Sequence, residues 1–192
     1  MPMPEEVRLS AAERCLRAAG EALLAQPRLL AWLAPMGWAF LIFRLSSADG
    51  LLEDLPVLPL QGFIWNFAHT AGFGLLALLT VPVAPRRTSA GRRWTALTGV
   101  GALWTVLLVT LYGFTDELHQ STVPGRNASL FDVLSDGVGA ASVMVVVLYL
   151  GRPARRPGGL RTRLLGGAAA CAAAAGLATA WDVLQGEGLW PF

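Results

Sequence analysis

Charge is scarce in this 192-residue chain: Asp, Glu, Lys and Arg together make 15% of it, against 54% hydrophobic residues and a mean hydropathy of +0.52. That balance excludes an ordinary soluble domain and places the chain among integral membrane proteins. Lysine is absent, so all fifteen basic residues are arginine, and the net charge of +2 says little until it is distributed along the sequence. Cysteine is nearly as rare. Cys15 and Cys171 form no CxxC or metal-type spacing, so neither a disulfide nor redox chemistry is expected. The first 28 residues carry mixed charges and no apolar core, so no cleavable signal peptide is expected. H-E-x-x-H and nucleophile-elbow patterns are missing, and no inverted repeat or broken helix pair marks a transporter.

What is present is a series of long apolar runs. Five segments approach the ~20 residues that a helix needs to cross a ~30 Å hydrocarbon core. They run from about Leu29 to Phe43, Phe63 to Val83, Trp94 to Phe114, Leu130 to Leu150 and Leu164 to Leu184. The first is interrupted by Pro35 and Gly37 and closed by Arg44, which fits a kinked helix with a snorkelling arginine, or else a shorter interfacial segment. The expected fold is all-α: a polytopic bundle of about five transmembrane helices.

Arginines cluster on alternate connections. Arg8, Arg14, Arg17 and Arg28 precede the first span; Arg86, Arg87, Arg92 and Arg93 follow the second; Arg152, Arg155, Arg156, Arg161 and Arg163 follow the fourth. The other two connections hold only Arg44 and Arg126. The positive-inside rule then puts the N-terminus and these basic loops in the cytoplasm and the C-terminus outside. Topology accounts for the basic clusters, so nucleic-acid binding has no support. Trp32, Trp94, Trp65, Trp181 and Trp190 fall near span ends, as an aromatic belt requires, while Trp38 and Trp104 lie deeper and read as packing residues. Residues 1–28 read as a cytoplasmic leader. Its Leu9, Ala12, Leu16, Ala19 and Leu23 share one helical face, which suggests an amphipathic surface helix, a partner-binding helix or a weakly ordered tail. Residues 29–150 form the expected core, 151–163 an arginine-rich loop, and 164–192 an added helix with a short tail. The last helix is rich in glycine and alanine, a composition for close packing against the bundle or against a second copy.

Between the third and fourth runs lies a charged hairpin, residues 113–132, carrying Asp116, Glu117, Arg126 and Asp132 where a membrane protein is normally apolar. Ionisable groups at that depth are costly unless paired or used. Asp116 and Gln120 are four apart, as are Asp132 and Asp136, so each pair shares one helical face. Asn66 and His69 start the second span from the same side. His69 and two or three of these carboxylates can therefore surround a common centre, with Arg126 reaching in from the Val123–Asn127 turn. Plain alternatives remain for each residue: hydrated acids at helix ends, Asp132, preceded by Ser129, capping the fourth helix, and Arg126 merely compensating a carboxylate. His119 reads as a bystander.

The run from Tyr112 to Gln120, followed by Val123–Arg126 and by Ser129–Ala140, resembles the signature of VanZ-like membrane proteins, and His69 in Phe67–Phe73 matches their upstream histidine. The resemblance covers roughly residues 30–150. It implies a four-helix core, to which this chain adds a helix, and an association with low-level teicoplanin resistance in bacteria. Two positions depart from the pattern: Trp65-Asn66 replaces a usual Asp-Lys pair, and Asp136 stands where asparagine is common, which makes this site more acidic. Three functions follow as expectations. The first is an outer-leaflet pocket of His69, Asp116, Glu117, Gln120, Arg126, Asp132 and Asp136 that holds the head group of a membrane lipid or lipid-linked envelope precursor. A glycopeptide antibiotic and a second copy of the chain are further candidate partners. The second is a hydrolase or transferase on a lipid-linked substrate, using His69, Glu117 and Asp132 with a divalent ion or a shared proton; neither cofactor nor metal is assigned. The third is an ion-coupled relay through Asp136 and His69.

Overall fold

The computed structural model describes residues 11–25, 27–47, 61–84, 97–123, 128–151 and 159–186. They form six helices: α1 (Ala11–Ala25), α2 (Arg28–Ser46), α3 (Gln61–Thr80), α4 (Gly99–Gln120), α5 (Leu130–Leu150) and α6 (Gly159–Gly186). No strand occurs among the described residues. Five of the helices, α2 to α6, are long and apolar enough to cross a membrane. The chain is thus an all-helical, multi-pass membrane protein.

Segment ends differ from the hydropathy reading in instructive ways. α2 continues through Pro35 to Ser46, so the proline does not end the helix. α4 begins at Gly99, where Thr98 caps it by accepting a hydrogen bond from the Gly101 amide at 3.0 Å, and continues past Phe114 to Gln120. The first half of the charged hairpin is therefore helical. α5 starts where expected, and Ser129 is its cap, accepting from the Phe131 amide at 3.2 Å. α6 begins at Gly159, so the final residues of the arginine-rich connection are helical.

α5 is the central helix, packed against α3, α4 and α6, while α2 lies against α3 and α4. Phe73, Ala77, Val109, Ala140 and Met144 form the apolar centre. Outward-facing Leu29, Met36, Leu103 and Leu134 are each more than half exposed, as lipid-facing residues are. Trp104 joins them at 60% exposure, so it faces outward rather than packing, whereas Trp38 packs on the core and donates to the Gly72 carbonyl at 2.9 Å. Tyr112 ties α4 to α2 through a 2.6 Å hydrogen bond to the Ala39 carbonyl.

Lipid tails are as apolar as leucine, so close van der Waals contact and interhelical hydrogen bonds must hold such a bundle together. Glycines supply the closeness here. A Cβ on Gly139 of α5 would overlap the Thr70 carbonyl oxygen of α3, and one on Gly113 of α4 would lie 2.5 Å from Asp136 Oδ2. A Cβ on Gly167 of α6 would meet Ser142 of α5 at 3.2 Å. Successive helices α2 to α6 alternate in direction, so the ends of α2, α4 and α6 and the starts of α3 and α5 meet at one end of the bundle.

Candidate functional site

At that end, polar side chains from all five spanning helices converge. Asp116 and Gln120 occupy one face of α4, as their spacing requires, and Gln120 Nε2 donates to Asp116 Oδ2 at 2.9 Å. Ser46 Oγ, from the last turn of α2, donates to the same oxygen at 2.7 Å. Two donors on Oδ2 fix the carboxylate and leave Oδ1 buried without a hydrogen bond. Glu117, next on α4, accepts the Ser129 amide on Oε2 at 2.8 Å, which ties the end of α4 to the start of α5. Asp116 and Glu117 are 3% and 4% exposed.

Asp136 sits almost two turns into α5 and is completely enclosed. Neither of its oxygens has a hydrogen-bond partner. Oδ1 faces His69 Nε2 at 3.5 Å, and the same nitrogen lies 3.9 Å from Asp116 Oδ2. His69 stands between the two carboxylates, its ring against Phe73 at 4.9 Å, and keeps about a quarter of its side chain exposed. Asp132, half-buried one turn before Asp136, lies within electrostatic range of Glu117.

The structure therefore brings His69, Asp116, Glu117, Gln120 and Asp136 to one centre, with Asp132 at its edge. Arg126 lies outside the described residues. Asn66 does not turn toward this centre: its amide donates to Thr179 Oγ1 and Asp182 Oδ2 of α6, both at 3.1 Å. His119 stays apart from it, 2.8 Å from Ser47 Oγ and with its ring tilted against Phe43.

Two participants escaped the sequence reading. Ser46 lies just past the apolar run of α2, where a polar residue looks like the start of a loop. Asp182 is the only acid in α6, and an acid within a membrane span carries a functional signal in its own right. Its Oδ2 accepts from Asn66 Nδ2 at 3.1 Å, which ties the last helix to α3 beside the centre.

Five carboxylates, one imidazole and one carboxamide at the end of an apolar bundle suit binding of a cationic or hydrogen-bond-donating group. The family model described as VanZ/LLP1 matches residues 15–151. The chain belongs to the VanZ/LLP1 family. No curated protein and no solved structure matches it. The VanZ/LLP1 region covers α2 to α5 and nearly every group at the centre. α6, with Thr179 and Asp182, lies beyond it.

Proposed function

We propose that this VanZ/LLP1 protein binds or remodels the head group of an envelope lipid or lipid-linked precursor at the outer leaflet of a bacterial cell membrane, and through it contributes to teicoplanin resistance. The observation that supports this reading is the enclosed Asp136 carboxylate, which has no hydrogen bond and faces His69 at 3.5 Å. A buried carboxylate without hydrogen bonds is costly, and costly intramembrane groups are kept where they are used. Arg163 lies near the start of α6, at the opposite end of the bundle from the polar centre. By the positive-inside rule that end is cytoplasmic and the polar centre faces outward. In this reading Arg126 pairs with head-group phosphate, and the carboxylates and Gln120 accept hydroxyl or amine hydrogens.

The test is susceptibility of a sensitive bacterial host to teicoplanin and vancomycin when it expresses the wild type, Glu117→Gln or Arg126→Ala, with membrane abundance measured for each. Teicoplanin-selective protection by the wild type, lost in equally abundant variants, is expected. No protection from a well-expressed wild type would refute the resistance role.

A second reading is supported by the position of His69 between two carboxylates: an acid–base hydrolase or transferase acting on a lipid-linked substrate, with His69 exchanging the proton. Release of a head group by purified protein, abolished in His69→Gln, would favour it.

A further inference from the structure

The polar centre has an imbalance that a phosphate-bearing head group would worsen. Asp116, Glu117 and Asp136 crowd together with a single imidazole, and Asp132 lies within range of two of them. A phosphate adds negative charge to this group, more than Arg126 alone would offset, which favours a second cation beside it. The geometry points to a site for one divalent first-row transition-metal ion, held by His69, Asp116 and Glu117 with Asp136 as the adjoining carboxylate. Under the head-group reading above, on which this part of the inference rests, the ion anchors the phosphate.

Spacing comes first. One donor atom each from His69, Asp116 and Glu117 lies within 4.8 Å of the others. Donors on opposite sides of an ion bound at about 2.0–2.4 Å are about 4–4.8 Å apart, so the three can share one ion with little movement.

Unused bonding capacity is the independent observation. Asp136 is wholly enclosed, both of its oxygens lack a hydrogen bond, and Oδ1 lies 3.5 Å from His69 Nε2, at the edge of the three-residue set. Asp116 Oδ1 is equally buried and unbonded. Helical packing supplied hydrogen-bond donors for Asp116 Oδ2 and Glu117 Oε2 but none for these oxygens.

The surroundings resemble the outer shell of a metal site, in which groups that do not touch the ion orient those that do. Ser46 Oγ and Gln120 Nε2 hold Asp116 from one side, and the Ser129 amide holds Glu117. An imidazole among carboxylates favours Mn²⁺ or Zn²⁺ over Mg²⁺ or Ca²⁺, which prefer oxygen alone. The partly exposed His69 marks the side from which an ion and a ligand would enter.

The experiment uses the full chain in phosphatidylglycerol nanodiscs, stripped with EDTA and titrated with Mn²⁺ or Zn²⁺ alone. One tight equivalent per chain is expected. Affinity should fall by at least 100-fold in Glu117→Gln and His69→Gln, and by about 10-fold in Ser46→Ala, whose side chain is expected to orient a ligand without touching the ion. Gly72→Ala, whose added Cβ meets nothing within 4 Å, should bind like the wild type. If Glu117→Gln does not fold, His69→Gln, at a partly exposed side chain, carries the test. Unchanged affinity in folded His69→Gln, or only weak multiple binding to wild type, would overturn the site. A phosphorylated lipid is then offered with and without EDTA. Retention that persists after stripping overturns the ion's role and leaves the head-group reading intact. Tight ion binding with no lipid retention upholds the ion and overturns the head-group reading.

Discussion

Gly139→Ala adds one methyl group at the closest approach of α3 and α5, and its cost can be worked from the contacts. The new carbon would overlap the Thr70 carbonyl oxygen and would lie 3.1–3.2 Å from the Thr70 carbonyl carbon and Cγ2. The opposing atoms belong to backbone, so the helices must part by about 1 Å to restore van der Waals contact. A gap of that order forfeits at least a quarter of each dispersion contact, and a large buried side chain draws about 5 kcal/mol from ~50 of them. Applied to Phe73 and Met144, which α3 and α5 contribute to the core, the loss is about 2 kcal/mol, within the usual range for overpacking. The better helix propensity of alanine returns about 1 kcal/mol. Gly72→Ala is the matched control, since a Cβ there meets nothing within 4 Å, and it should gain up to about 1 kcal/mol. The two variants should therefore differ by about 2 kcal/mol in a reversible detergent-unfolding titration. Equal stabilities would refute the claim that glycine at 139 is what lets these helices meet. Thr70 follows His69 directly, and Gly139 lies one turn after Asp136. Parting the helices there should also widen the 3.5 Å His69–Asp136 contact and lower function.

Two further outcomes are expected. Asp136→Asn should abolish protection or head-group binding while unfolding no earlier than wild type in the same titration, because the amide replaces a buried carboxyl that packing leaves without a hydrogen bond; a clearly destabilised variant would assign Asp136 a structural role. Asn66→Ala and Asp182→Ala should be non-additive, with a coupling of about 0.5–1.5 kcal/mol in a double-mutant cycle, since their side chains bond each other across α3 and α6; full additivity would mean the contact carries no stability.

The fold was largely readable because hydropathy over twenty residues averages away local exceptions. Leu130–Leu150 was located to the residue, and the closing proximity of Asp116 and Gln120 followed from helical periodicity alone. The end of α4 was harder. Charged residues after Phe114 lower local hydropathy, yet the helix continues, with Ser46 and Gln120 donating to Asp116 Oδ2 and the Ser129 amide donating to Glu117. Ser46 and Ser129 come from other segments, so no local window contains them. The same reason hid Asp182: its role depends on α6 lying beside Asn66, a tertiary fact. The Asn66 side chain likewise serves the packing of α6 and not the centre beside it.

The contact of Asn66 with Thr179 and Asp182 has a consequence for how the molecule can be divided. Family resemblance stops at residue 151, but the last helix closes one side of the bundle and meets an amide that would otherwise face hydrocarbon. A gene cut between α5 and α6 therefore makes two mutually dependent fragments. Each has its own helices, which insert independently before they associate. Co-expressed, they should find one another in the bilayer as a lock finds its bolt, and that recognition makes α6 a detachable handle for controlling assembly of the polar centre.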